Sequence, residues 1–131
     1  MSSRNIDDLH PDMQPLCREF LARCNSHALG VRISCTYRSN EEQDAEYAKG
    51  RTAPGNKVTN AKAGESKHNF TIDGKPSSKA FDIYITNKDG TLNWDSTSLP
   101  WQMAGEIGEQ LKLSWGGRWK KIKDYPHFEI E

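Results

Sequence analysis

The chain has 131 residues, with 18 Lys plus Arg against 18 Asp plus Glu and no formal net charge, so the basic excess that nucleic-acid binding asks for is missing. Mean hydropathy is -0.86 and no apolar run approaches the ~18 residues of a membrane span, which excludes stable membrane insertion. The length suits one domain, residues 1–131, with a real core, and the charged start Met1-Ser2-Ser3-Arg4-Asn5 lacks the apolar stretch of an export signal, so synthesis in a cytoplasm is expected.

Residues 11–28 read as a helix. Pro11 suits a first turn, and Met13, Leu16, Cys17, Phe20, Leu21, Cys24 and Ala28 follow steps that draw one apolar stripe. His10 and His27 flank it as helix-end residues, and Gly30 stops it. Cys17 and Cys24 would lie roughly 10 Å apart along that helix, too far to bridge. With three cysteines in all, reduced core thiols are expected, and a cysteine metal site lacks the close pairs it needs.

Residues 31–37 alternate, placing Val31, Ile33, Cys35 and Tyr37 on one face of a half-buried strand. Ser39-Asn40-Glu41-Glu42 has the form of a capping box, and a second helix should run from 40 to 49 and end at Gly50. Arg38 sits at this strand-to-helix junction, either aimed at a cleft or paired and solvated at the surface.

Residues 51–65 have no period and read as a long loop delivering Ser66-Lys67-His68. A polar insert with turn chemistry follows at 73–78. Residues 80–85 then form a strand whose apolar character Asp82 interrupts. A carboxylate among Phe81, Ile83 and Ile85 is expensive to bury unpaired; it wants a metal, an Arg or a Lys. After a turn at 87–90, residues 91–94 return as a short strand. A third helix spans 100–112 with Trp101, Ala104, Ile107, Gly108 and Leu111 inward.

A short strand, 113–115, is broken by Gly116-Gly117, and a basic turn, Lys120-Lys121-Ile122-Lys123, reads as a solvated face. Trp115 and Trp119 either fill core or line a groove. His127 falls in a last strand, 126–130, with Asp124 three residues before it and Glu129 two after. The elements add up to an α+β fold. Its small, mainly antiparallel sheet carries Asp82 and His127 on one face, and helices 11–28 and 100–112 pack on the other.

Two imidazoles and one carboxylate, His68, Asp82 and His127, suffice as protein ligands for a catalytic zinc that keeps a position for water. A further carboxylate nearby could take that water's proton. Sequence spacing alone does not force these side chains together.

Their order, however, resembles a known family. Ser66-x-His68, Ala80-x-Asp82, Trp115-Gly116-Gly117-x-Trp119 and Asp124-x-x-His127, preceded by Tyr37-Arg38-Ser39 and Glu42-Gln43, are similar to zinc peptidases of the D-Ala-D-Ala carboxypeptidase and Sonic hedgehog type. The similarity is greater to the L-alanyl-D-glutamate endopeptidases that phages use as endolysins. The resemblance implies that fold, with zinc on His68, Asp82 and His127 and Asp124 as acid/base. It implies Arg38 at the oxyanion or on a substrate carboxylate, and Ser66, Gln43 and Trp115 toward substrate. Glu129, on the same strand face as His127, is a rival base.

The implied partner is the peptide stem of peptidoglycan, met by a monomer that waits in a host cytoplasm and reaches the wall through a membrane pore. A D-Ala-D-Ala carboxypeptidase of the same fold is the alternative activity, and a non-catalytic zinc-stabilised wall-binding module the alternative class. One departure stands out: thirteen residues separate His68 from Asp82, more than the family's usual gap. The reading is an inserted hairpin, 70–79, at the rim of the site.

Overall fold

The computed structural model describes residues 2–131. Helix α1, Gln14–Ser26, starts nearly one turn after the expected residue 11, with Pro15 rather than Pro11 in its first turn, and buries Cys17, Phe20 and Cys24. Ala28 and Gly30, both with positive φ, turn the chain out of it. Strand β1 is Val31–Cys35. Helix α2, Asn40–Ala48, opens on the expected capping box: Ser39 Oγ accepts the Glu42 N–H while Glu42 reaches back to the Ser39 N–H. Residues 51–65 hold turns and bends, with no helix or strand.

The insert is a hairpin, β2 (Thr71–Ile72) against β3 (Lys75–Pro76). Asp73 and Gly74 both take positive φ at its tip, as a twist-compatible two-residue turn requires. It does not border the cleft described below. Its base is tied instead to the N-terminal segment, where Ser78 N–H donates to the Asp8 carbonyl and His10 N–H to the Ser78 carbonyl.

Four further elements complete the fold: β4 (Ala80–Ile85), α3 (Leu99–Gln110), β5 (Ser114–Trp115) and β6 (His127–Glu129). The strand expected at 91–94 is reduced to one bridge between Thr86 and Leu92. Asp89 and Asp95 explain this. Their carboxylates bind the backbone and hydroxyl of Thr91 and Thr97, and such local bonds compete with a strand ladder.

The main sheet runs β1-β4-β6-β5, antiparallel at every junction. Its register sorts the two faces. Phe81 pairs with Phe128, and Phe128 with Trp115, so these three share the face that α1 and α3 cover. Phe20 of α1 lies 5.3 Å from the Phe81 ring and 4.8 Å from that of Phe128. Asp82 pairs with His127 on the other face. Helix α2 contributes no residue to the buried core among those described.

Two side chains depart from the expected faces. The β1–β4 register slips between Ile33 and Cys35, so Cys35 pairs with Asp82 and joins the site face, while Val31 and Ile33 face the helices opposite Ile85 and Ile83. One extra residue in a strand reverses the alternation beyond it. Trp115, expected to touch substrate, is buried under α3 instead. A Cβ on Gly105 would sit 2.5 Å from its ring, and its indole N–H donates to the Tyr125 carbonyl.

Candidate metal centre and cleft

His68 sits on a single 3-10 turn, Lys67–Asn69. Ser66 Oγ accepts the His68 N–H and Asn69 Oδ1 accepts the Ser66 N–H, closing a second capping box. The turn is then pinned to the end of β1: Arg38 N–H donates to the His68 carbonyl, and the Asn69 amide to the Arg38 carbonyl at 2.7 Å. The imidazole is 2 % exposed. Its Nδ1 lies 2.8 Å from the Thr36 carbonyl, which can only accept, so Nδ1 carries the hydrogen.

That leaves His68 Nε2 facing Asp82 Oδ1 at 3.1 Å. His127, delivered by the β4–β6 pairing, brings its Nδ1 to the same Asp82 oxygen at 3.2 Å. The second Asp82 oxygen, Oδ2, accepts from Arg38 Nη2 at 3.4 Å. Asp124 Oδ2 lies 3.8 Å from His127 Nδ1. Its backbone is held by Gly116, whose carbonyl accepts the Asp124 N–H. A Cβ on Gly116 would run into the Asp124 carbonyl, so the close approach requires glycine there.

The charges are coupled. Burial alone would lift the Asp82 carboxyl, but the adjacent imidazoles of His68 and His127 hold it well below the usual carboxylate range. Burial would lower His68; the Asp82 charge and hydrogen bond instead raise it to about 10, and His127 moves up for the same reason, with Glu129 adding to it. Burial, helped by the neighbouring Asp82 charge, pushes Asp124 up to about 6. Two carboxylates in one site, with environments that push them in opposite directions, are the arrangement that divides an anchoring group from a proton-carrying one.

This cluster forms the floor of a cleft of about 760 Å³, a size suited to a small peptide. Residues 58–61, Trp119 and residues 120–122 line it, and Arg38 and Ser66 also border it. The predicted residues His68, Asp82, His127, Asp124, Arg38 and Ser66 are therefore brought together. Gln43 and Trp115 are not at the cleft surface. Gln43 is fully buried; it accepts from Arg38 Nη1 at 3.0 Å and donates to the Ala61 carbonyl at 2.8 Å, linking the arginine to the cleft wall. Trp119 takes the place foreseen for Trp115, its ring 5.0 Å from that of His127. Trp115 pairs with Phe128, on the face away from His127.

The donor set suits a metal. Each imidazole turns one nitrogen to the same Asp82 oxygen, and two overlapping groups share that carboxylate: Asp82, Asp124 and His127 place donor atoms within 4.8 Å of one another, and so do Cys35, His68 and Asp82. Neutral imidazoles and a carboxylate are the hard-to-borderline donors that zinc takes. Cys35 is close but stands on the wrong side: its sulfur is 3.7 Å from His68 Nδ1, the nitrogen already committed to Thr36.

Residues 59–130 match the D-alanyl-D-alanine carboxypeptidase family. The chain is 37% identical over 130 residues to the peptidoglycan L-alanyl-D-glutamate endopeptidase CwlK of Bacillus subtilis (strain 168), covering 94% of this chain and 74% of that protein. Its fold also superposes on the L-Ala D-Glu endopeptidase ChiX of Serratia marcescens with a TM-score of 0.66, across 100% of this chain and 89% of that one, at 21% identity. The fold is the peptidase fold of ChiX, and the chain belongs to the D-alanyl-D-alanine carboxypeptidase family of peptidases.

Proposed function

We propose that the chain is a zinc-dependent endopeptidase that cleaves the L-alanyl-D-glutamate bond in the peptide stem of peptidoglycan. The observation that carries this reading is the convergence of His68 Nε2 and His127 Nδ1 on one Asp82 oxygen, with the Asp124 carboxyl beside them at the floor of a cleft. The choice of bond is supported by the likeness to CwlK over most of both chains.

His68, Asp82 and His127 would hold the metal. When bound, zinc brings the pKa of a water toward about 7 and polarises a carbonyl oxygen. Asp124 accepts the proton of the attacking water and returns it to the departing amine; a carboxyl raised to about 6 exchanges protons readily near neutral pH. Arg38 offers a guanidinium at the cleft floor, already oriented by Gln43 and Asp82, against negative charge developing on the scissile carbonyl. Trp119 gives one wall an aromatic face for the substrate chain. Ser66 works from beneath, by capping the turn that presents His68.

The wall lies outside the bacterial membrane, so the enzyme is proposed to act there, as a lytic monomer of the phage endolysin kind. The test is mass spectrometry of muropeptides after digestion of purified walls, with and without a chelator. A new N-terminal D-Glu is expected. Loss of terminal D-Ala alone would instead assign the carboxypeptidase activity named for the family, and intact muropeptides with tight zinc binding would assign a wall-binding module.

A further inference from the structure

One charged side chain lining the cleft has both ends engaged, yet the proposed mechanism gives it no role. Glu129 stands two residues beyond His127 on β6, so its side chain emerges on the same face. Its Oε1 lies 2.7 Å from His127 Nε2. Its Oε2 lies 3.1 Å from Lys67 Nζ, and that ammonium also donates to the Ile130 carbonyl at 2.6 Å. Both carboxylate oxygens are thus engaged, one by each neighbour.

We propose that Glu129, anchored by Lys67, is a positioning residue that fixes which nitrogen of His127 is available to the metal. This rests on the reading of His127 as a ligand. An ionised carboxylate only accepts hydrogen bonds, so the ring nitrogen facing it carries the hydrogen. With the hydrogen on Nε2, the lone pair of the neutral ring is on Nδ1, and Nδ1 is the atom turned toward Asp82 at 3.2 Å and Asp124 at 3.8 Å. A nitrogen that keeps its hydrogen cannot ligate, so the partner of one nitrogen decides the availability of the other.

His68 is set by the same logic with the roles of the nitrogens exchanged. Its Nδ1–H donates to the Thr36 carbonyl and its Nε2 is presented to Asp82. The partners differ in kind. Thr36 uses a backbone oxygen that the fold itself supplies; Glu129 is a side chain, and it is in place only because Lys67 and His127 hold its two ends. Lys67 directly precedes His68, so the turn that delivers one imidazole also anchors the carboxylate that orients the other. The same geometry argues against Glu129 as the base. Its Oε1 is spent on the far side of the His127 ring from Asp82, and its charge is balanced by Lys67.

The experiment uses the full chain and zinc alone. Zinc affinity is measured by competition with a chromophoric chelator for wild type and for Glu129→Ala, Glu129→Gln, Lys67→Met and His127→Ala. The hydrogen on the His127 ring is located by nitrogen-15 NMR of the zinc-loaded wild type and Glu129 variants. Glu129→Ala should weaken zinc by ~10–100-fold, the usual worth of an outer partner of a metal-bound imidazole. It should also lose the downfield, slowly exchanging Nε2–H signal seen in wild type. Glu129→Gln, whose amide oxygen can still accept, should recover part of the affinity and keep that signal; Lys67→Met should fall between.

A purely structural Glu129 would leave both readouts unmoved. Zinc affinity and the Nε2–H signal unchanged in Glu129→Ala overturn the proposal, as does a hydrogen found on Nδ1 in wild type. If the alanine variant does not fold, unchanged affinity in both Glu129→Gln and Lys67→Met overturns it instead. His127→Ala separates the two levels. Wild-type zinc affinity in that variant removes His127 from the ligand set and takes this proposal with it; a large loss there, with the Glu129 and Lys67 variants unaffected, removes only the positioning role.

Discussion

Asp124 and Asp82 are chemically identical groups in adjacent positions, and their surroundings assign them different work. Asp82 is held ionised by two imidazoles and Arg38, so it keeps a charge to offer a cation. Asp124 meets burial and a like charge, which push it up to about 6. Asp124→Asn keeps the shape and removes the acceptor of the proton. It should retain zinc content yet lose on the order of 10²–10⁴ in the rate of wall hydrolysis. Glu129→Gln should be milder, because its oxygens serve His127 and Lys67 rather than the water. Rates measured beside zinc content in both proteins decide it; a fast Asp124→Asn enzyme would return the base to Glu129.

The imidazoles carry a second prediction at this scale. His68 is raised to about 10, so it holds its proton across the neutral range in the metal-free protein, and His127, raised as well, keeps its proton to higher pH than a free imidazole. Their raised pKa values stabilise the metal-free fold below the unfolded value near 6.5, and that contribution is lost as pH rises through the folded values. Zinc must displace these protons. Zinc affinity should therefore climb steadily from pH 6 to pH 8, with proton release visible as a dependence of the calorimetric binding heat on the buffer's ionisation enthalpy. An affinity flat over that range would contradict the charge assignment.

At the scale of elements, what could be read from the chain depended on whether the signal was local. The capping box at Ser39 and the Asp73-Gly74 turn are written in adjacent residues, and both formed as expected. The apolar stripes of α1 and α3 located the helices to within a turn. The slip between Ile33 and Cys35 left no mark, because an irregularity in a strand is set by its partner and not by its own residues. The choice between Trp115 and Trp119 failed for the same reason: it depends on which face of β6 the β5 register meets. The candidate ligands were legible only through their order along the chain, since the contact of Asp82 with both imidazoles is made by pairing across distant segments.

Gly105 and Gly108 show how that packing constrains a helix. Both lie inside α3, where alanine ordinarily gains close to 1 kcal/mol over glycine. A Cβ at either would meet an aromatic ring at 2.5 Å, that of Trp115 for Gly105 and that of Phe128 for Gly108. Those rings are locked by the sheet and by the Trp115–Tyr125 hydrogen bond, so they cannot step aside. Overpacking of ~1–3 kcal/mol should outweigh the helical gain. Gly105→Ala is expected to lower the midpoint of urea unfolding; an unchanged or higher midpoint would mean that the α3–sheet interface yields.

Across the whole molecule the sheet divides two tasks. One face, with α1 and α3, buries Phe20, Phe81, Trp101, Trp115 and Phe128 in a single aromatic and aliphatic core. The other carries the charged cluster and borrows stiffness from that core through β4 and β6. In the smallest zinc domains the metal supplies the folding energy, and chelation unfolds them. Here the aromatic core packs on the opposite face of the sheet from the candidate ligands, so the chain should remain folded without metal. Zinc should still stabilise it by mass action, by about 2.7 kcal/mol when free zinc exceeds the dissociation constant a hundredfold. The gain has a structural route: His68, Asp82 and His127 come from three separate stretches, and a shared cation would tie them more firmly than the Asp82 hydrogen bonds do alone. Chelation is therefore expected to lower the melting temperature while far-UV circular dichroism at 25 °C keeps its folded form. Asp82→Ala should melt at one temperature whether or not zinc is added. A chelated wild type that loses its circular dichroism at 25 °C would show that the helix-covered core cannot hold the sheet without the metal.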